Sequence, residues 1–136
     1  FAGYLIKNKL LRIFIILISQ VTSDLYIGIY SSMVFVYSAY VVIGLVSPII
    51  MNTLNTKSVL LTSLVSPTIV FIISNFGVWL SSSMYSFNMS GLITCYTAGI
   101  PFFDESLIST VIFALTIFSV IKLIAKEQTE IILIKK

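Results

Sequence analysis

Apolar residues run along this chain in blocks too long for the alternating faces of a soluble fold. No charged residue stands between Asp24 and Lys57, and none between Lys57 and Asp104. Both stretches exceed the roughly 20 residues that an α-helix needs to cross a bilayer core. The pattern predicts an all-α, polytopic transmembrane helical bundle with about four spans, at 10–29, 33–51, 58–80 and 107–125. The segment 81–105 fits none of them. It is apolar and aromatic, but Gly91, Gly99 and Pro101 interrupt it, and it reads as a re-entrant or interfacial element. The whole chain, 1–136, is then a single transmembrane domain.

Composition agrees: 58% of residues are hydrophobic and 10% charged, with a mean hydropathy of +1.10, far from the balance of a water-soluble domain. The net charge of +3 is no nucleic-acid footprint, because the cations are scattered at helix ends. Threading four spans puts Lys7, Lys9, Arg12, Lys57, Lys122, Lys126, Lys135 and Lys136 on one side. By the positive-inside rule both ends of the chain are cytoplasmic. The opposite side receives Tyr30 to Ser32 and the broken segment, with Asp24, Asp104 and Glu105 lying toward it. After Ala125 the tail reads as a short amphipathic extension on the cytoplasmic surface.

Cys95 is the only cysteine and there is no histidine. No intramolecular disulfide or Cys/His metal site can form, no cofactor is expected, and a serine or cysteine nucleophile would lack a histidine base. Asp24 and Asp104 are the one conceivable intramembrane aspartate pair, and an enzyme is not expected.

Asp24 is the first functional candidate. Twelve residues past Arg12, it lies about 18 Å along a helix. A carboxylate at that depth must be paired, protonated or facing a watery cavity; alternatively the helix exits the membrane early and leaves it at the outer interface or bonded to a neighbouring backbone amide. Gln20, Asp24 and Gly28 share a face. Tyr37, Tyr40, Gly44 and Ser47 share another, as do Ser63, Ser66, Ser74 and Gly77, and small-residue packing accounts for both. Pro67 is expected to kink the third span, with Ser63 or Ser66 partly satisfying the freed carbonyl. Asn75, Trp79, Tyr85, Tyr96 and Phe103 gather toward the outer side, as a solute pocket or as an aromatic belt. Asp104 and Glu105, just before the expected last span, read as helix N-caps. Asn88-Met-Ser90 matches the glycosylation tripeptide, a pattern frequent by chance.

The runs SDLYIGIY (23–30), FVYSAY (35–40), SNFGVWLSSSMY (74–85) and GLITCYTAGIPFF (91–103) together resemble a family of small bacterial membrane proteins of unknown function. That family is associated with transport and is similar in architecture to the S components of energy-coupling factor transporters. Asp24, Gly28, Asn75, Trp79, Tyr85, Tyr96, Pro101 and Phe103 match its pattern, whereas Tyr30 stands where the family often has histidine. The resemblance also implies a first helix before FAGY, missing from this chain; of the small docking residues expected on an early helix, only Ala2 and Gly3 remain. It implies a substrate-capture subunit in the bacterial inner membrane. Its partners would be the lipid bilayer, a small water-soluble metabolite bound through Asp24, Asn75, Trp79, Tyr85, Tyr96 and Phe103, and a membrane coupling subunit with ATPases. Two rivals remain: a non-catalytic accessory subunit packing in a larger membrane complex, and a self-sufficient secondary transporter, for which no inverted repeat is visible.

Overall fold

The computed structural model describes residues 1–134, with side chains described as far as Ala125; the tail expected to be amphipathic falls outside those side chains. The described chain is all-α. A short helix α1 (Ala2–Leu5) precedes α2 (Lys9–Ile27), α3 (Met33–Ile50), α4 (Thr56–Ser81) and α5 (Met89–Ile134). Four of these helices, α2 to α5, are long and apolar enough to cross a membrane.

Asparagine starts three of them. The Oδ1 of Asn8 accepts from the amides of Leu10 and Leu11, and that of Asn55 from Ser58 at 2.9 Å. Asn88 Oδ1 accepts from the Gly91 amide at 2.9 Å. Each thereby satisfies first-turn donors that have no intrahelical partner. This cap is why the broken segment expected at 81–105 is loop only over 82–88 and helix from Met89 onward. In apolar surroundings a backbone that leaves the helix finds no water to satisfy it. Gly99 and Pro101 therefore do not end α5. Pro67 likewise sits within a continuous α4, and the Ser63 hydroxyl donates to Leu60 O at 2.8 Å, not to the carbonyl that Pro67 frees. Asp104 and Glu105, fifteen and sixteen residues into α5, are not N-caps.

The long helices pack as a row in sequence order, α2 on α3, α3 on α4 and α4 on α5, with α1 folded against α3. At one end Met51, Val59 and Phe118 form a buried cluster joined by Leu54, Ala114 and Leu115. The described cations Lys7, Lys9, Lys57 and Lys122 stand at this end, Lys122 lying 4.6 Å from the Phe118 ring centroid. Toward the other end the backbone of Gly77 presses on the ring of Phe35 so closely that a Cβ would strike it. Beyond that level the α4–α5 hairpin is closed by the Trp79 indole, which donates to Ser86 O at 3.1 Å.

A row buries little. Among the described residues the buried apolar side chains are Ala39, Met51, Val59, Cys95 and Phe118, while large apolar residues such as Leu25, Ile29, Ile49 and Phe113 are mostly exposed. Such a surface suits lipid or protein neighbours, not water. Because α3 approaches α4 through Gly77, Gly77→Val should cost about 1–3 kcal/mol by overpacking. Ile49→Val, on an exposed face, should change stability by less than about 0.5 kcal/mol. Denaturant titration in detergent micelles measures both.

Candidate functional site

The antiparallel contact of α4 with α5 opens midway into a cavity of about 260 Å³ lined by Phe71, Ser74, Asn75, Gly99, Phe103 and Ser106, among others. Glycine at 99 makes the room. A Cβ there would lie 2.6 Å from Asn75 Oδ1 and 3.0 Å from the Phe71 ring. The amide of Asn75 is fixed at one end, its Nδ2 donating to Phe71 O at 2.8 Å. A carbonyl requires a donor, so this bond determines which way the amide points. Asn75 Oδ1 is left facing Gly99 without a hydrogen bond among the described residues, and the Ser74 and Ser106 hydroxyls have none either. Nearby hydroxyls behave differently: Thr68, Thr94, Thr97 and Thr110 all donate to carbonyls of their own helices. The cavity thus keeps one amide acceptor and two hydroxyls uncommitted. Its wall is aromatic, with Phe71 and Phe103 ring centroids 4.6 Å apart and tilted by 33°.

Of the residues singled out in the sequence, Asn75 and Phe103 meet in this cavity. Tyr96 lies on the neighbouring side of Phe71, edge-on at 5.6 Å, with its hydroxyl donating to Ile72 O at 2.6 Å. It lines a separate apolar groove with Leu92, Ile93 and Ile100. Trp79 is committed to the hairpin end, its ring near Phe76 and Phe87 at centroid distances of 5.6 and 4.8 Å. Tyr85 is half-buried in the 82–88 loop.

Asp24 forms a second centre, on the α2–α3 side. It is 4% exposed. Its Oδ1 accepts from Gln20 Nε2 at 3.1 Å, one turn back, and its buried Oδ2 has no hydrogen-bond partner. The phenols of Tyr30, Tyr37 and Tyr40 lie close enough to feel the carboxylate. For Tyr30, in the α2–α3 turn, burial first and the Asp24 charge second push the phenol above its ordinary range, so it stays a donor. Asp24 lies in the last turn of α2, which continues to Ile27, and the Asp24 carbonyl accepts from Gly28 N at 2.8 Å.

Two features escaped the sequence reading. Arg12, which the sequence places only as one of the cations on the cytoplasmic side, is 5% exposed. Its Nε donates to Gly44 O at 2.6 Å and its Nη1 to Ile6 O at 2.8 Å, tying the α1–α2 connection to α3. A lone arginine near a helix start carries no signal of this. The second is the acidic pair Asp104–Glu105, exposed beside the cavity-lining Ser106 and making no side-chain hydrogen bond or ion pair among the described residues.

An all-α chain with four helices long and apolar enough to cross a membrane is the class that this fold defines. The chain belongs to the family of unknown function DUF6580, whose model matches residues 1–132. No curated protein and no solved structure matches it.

Replacing Arg12 by leucine strips one buried and one part-buried carbonyl of a charged donor, at about 1.5–3 kcal/mol for each bond lost. Arg12→Leu should therefore raise amide hydrogen exchange in 2–6 at least as strongly as it lowers global stability. Unchanged exchange there would show that α1 is held by packing alone.

Proposed function

We propose that this chain is a non-enzymatic substrate-capture subunit of a membrane transport system, taking up a small water-soluble metabolite. It would sit in the bacterial inner membrane with both ends cytoplasmic, as the clustering of cations at one end favours. Energy would come from a separate coupling subunit with ATPases, the role that S-component-like architecture implies. The observation that carries the reading is the uncommitted polar set, Asn75 Oδ1 with the Ser74 and Ser106 hydroxyls, inside a phenylalanine-walled cavity. Neighbouring hydroxyls are satisfied by their own helices, so polar groups left open in an apolar hairpin favour a ligand that completes them. The volume suits a solute smaller than most drug-like molecules, flat enough to lie along Phe71 and Phe103 and carrying at least one donor for Asn75. The Asp24 centre, with a buried unpartnered carboxylate oxygen, would serve a cationic group or a coupled proton. It lies on a different pair of helices.

A second reading, a non-catalytic accessory subunit of a larger membrane complex, is favoured by the open row of helices and the uncompensated Asp104–Glu105 pair.

Mass spectrometry of small molecules extracted from the full-length protein, purified in mild detergent, tests the two. A retained metabolite whose affinity falls at least about tenfold in Asn75→Ala and in Gly99→Leu supports capture through the α4–α5 cavity. No retained molecule, together with a stoichiometric protein partner, would establish the accessory reading instead.

A further inference from the structure

We infer that the cavity at the cation-bearing end of the row, between the α1–α2 connection and the end of α3, binds the phosphate of an anionic phospholipid headgroup. This site rests on the membrane reading above and not on solute capture.

The cavity holds about 250 Å³ and is lined by Gly3, Tyr4, Lys7, Arg12 and Asn52, among others. Close packing fixes its wall: a Cβ on Gly3 would lie 2.8 Å from Pro48 N, so α1 sits directly on the α3 backbone. Proline has no N–H, and Pro48 inside α3 therefore leaves Gly44 O, one turn back, without its helical donor. Arg12 Nε supplies that donor at 2.6 Å, and Nη1 donates to Ile6 O at 2.8 Å. These two bonds are structural, and they account for an arginine that is only 5% exposed.

They do not use up the guanidinium, which carries five N–H groups. Neither of the two on Nη2 makes a hydrogen bond among the described residues. Nη2 is not walled off in the interior. Among the described residues the buried side-chain atoms without a partner are Asp24 Oδ2, Ser47 Oγ and Ser82 Oγ, so this nitrogen keeps accessible surface. The cavity is the open space that Arg12 lines.

The rest of the lining repeats that chemistry. The Tyr4 hydroxyl, the Lys7 ammonium and the Asn52 amide make no side-chain hydrogen bond or ion pair among the described residues, and each carries a donor. No acid balances the two cations. The described acids are Asp24, Asp104 and Glu105, and Asp24 lies twelve residues beyond Arg12, about 18 Å along α2. Two positive charges and four donor-bearing side chains around one open space suit an anion, and a guanidinium edge beside an ammonium suits phosphate.

Location selects the source of that phosphate. Lys7 lies between α1 and α2, and Asn52 lies just past α3, so the cavity stands where the apolar helices end. That is the level of the headgroups, not of the hydrocarbon. Basic pockets between membrane helices on the cytoplasmic side hold anionic headgroups. Leu5 and Leu10, mostly exposed on either side of Lys7 along the chain, give the acyl chains of such a lipid an apolar surface.

The test uses the full-length chain, delipidated in neutral detergent and titrated with phosphatidylglycerol or phosphatidylcholine, with bound lipid counted by native mass spectrometry. The first phosphatidylglycerol should bind at least about tenfold more tightly than the first phosphatidylcholine. Lys7→Ala should weaken it about fivefold, and Asn52→Asp, which places a carboxylate in the lining, should erase the preference. Both positions are exposed, so neither change disturbs packing. Lys57→Ala, at the same end but outside this lining, should leave the first phosphatidylglycerol in place. Equal binding of the two lipids by the wild-type chain overturns the proposal, and needs no variant to fold. A preference that survives Asn52→Asp overturns it, as does one that falls as far in Lys57→Ala as in Lys7→Ala, the mark of diffuse attraction to the basic end. Inorganic phosphate that displaces phosphatidylglycerol at equal concentration overturns the lipid assignment in favour of a soluble anion. Retained metabolites are scored separately in the same preparation, so failure of the capture reading leaves this result interpretable.

Discussion

A backbone N–H or C=O in apolar surroundings has no water to fall back on, and leaving it unpaired costs several kcal/mol. That constraint governs most of this molecule. It keeps α5 helical through Gly99 and Pro101, and it draws asparagine side chains onto the exposed first turns of α2, α4 and α5. It also recruits the Arg12 guanidinium to carbonyls at Ile6 and Gly44. With the backbone satisfied within each helix, the side chains have less to hold together, and a row of helices with few buried residues suffices. In such a row, close approach comes from absent atoms, as at Gly77 under Phe35 and Gly99 under Asn75.

The same constraint explains what could be read from the sequence. Uncharged runs set by bilayer thickness gave the number of long helices, and α2, α3 and α4 begin and end within about two residues of where the hydropathy pattern puts them. The error came where turn-forming residues were weighed as they would be in water. Gly91, Gly99 and Pro101 would break a soluble helix, so 81–105 was expected to be irregular. The signal that argued otherwise was Asn88, which reads as a glycosylation tripeptide but serves as the cap of α5. Displacing that start by some eighteen residues also misassigned Asp104 and Glu105 as caps.

The candidate site was legible only in part, for a different reason. Residue type and position along the chain could bring Asn75, Trp79, Tyr85, Tyr96 and Phe103 to one side of the molecule. They could not say which helix face each would occupy. Asn75 and Phe103 share a cavity because α4 and α5 meet through Gly99, whereas Tyr96 falls on the next face and its hydroxyl is taken by Ile72 O. Trp79 closes the hairpin. Asp24, the strongest single candidate by depth, faces α3, a neighbour that the sequence does not reveal.

The polar groups can be ordered by how much of their need the chain itself meets. Arg12 finds two carbonyl partners and is structural. The hydroxyls of Thr94, Thr97 and Thr110 are closed by their own helices. Asn75 is satisfied at its nitrogen and open at its oxygen, toward a cavity with room for a guest. Asp24 is satisfied at Oδ1 and open at Oδ2, on a different pair of helices. Asp104 and Glu105 are open on every oxygen and face away from the row. Internal satisfaction therefore does not follow the order of the helices: Asp24 Oδ2 on α2 and Ser47 Oγ on α3 are buried without a partner, while the threonine hydroxyls of α5 are closed. Because an unmet polar group costs more in hydrocarbon than in water, the places of greatest deficit are where molecules from outside the chain have most to contribute. A solute between α4 and α5 would complete the part of that hairpin that the chain itself leaves open, at Asn75 Oδ1 and the Ser74 and Ser106 hydroxyls.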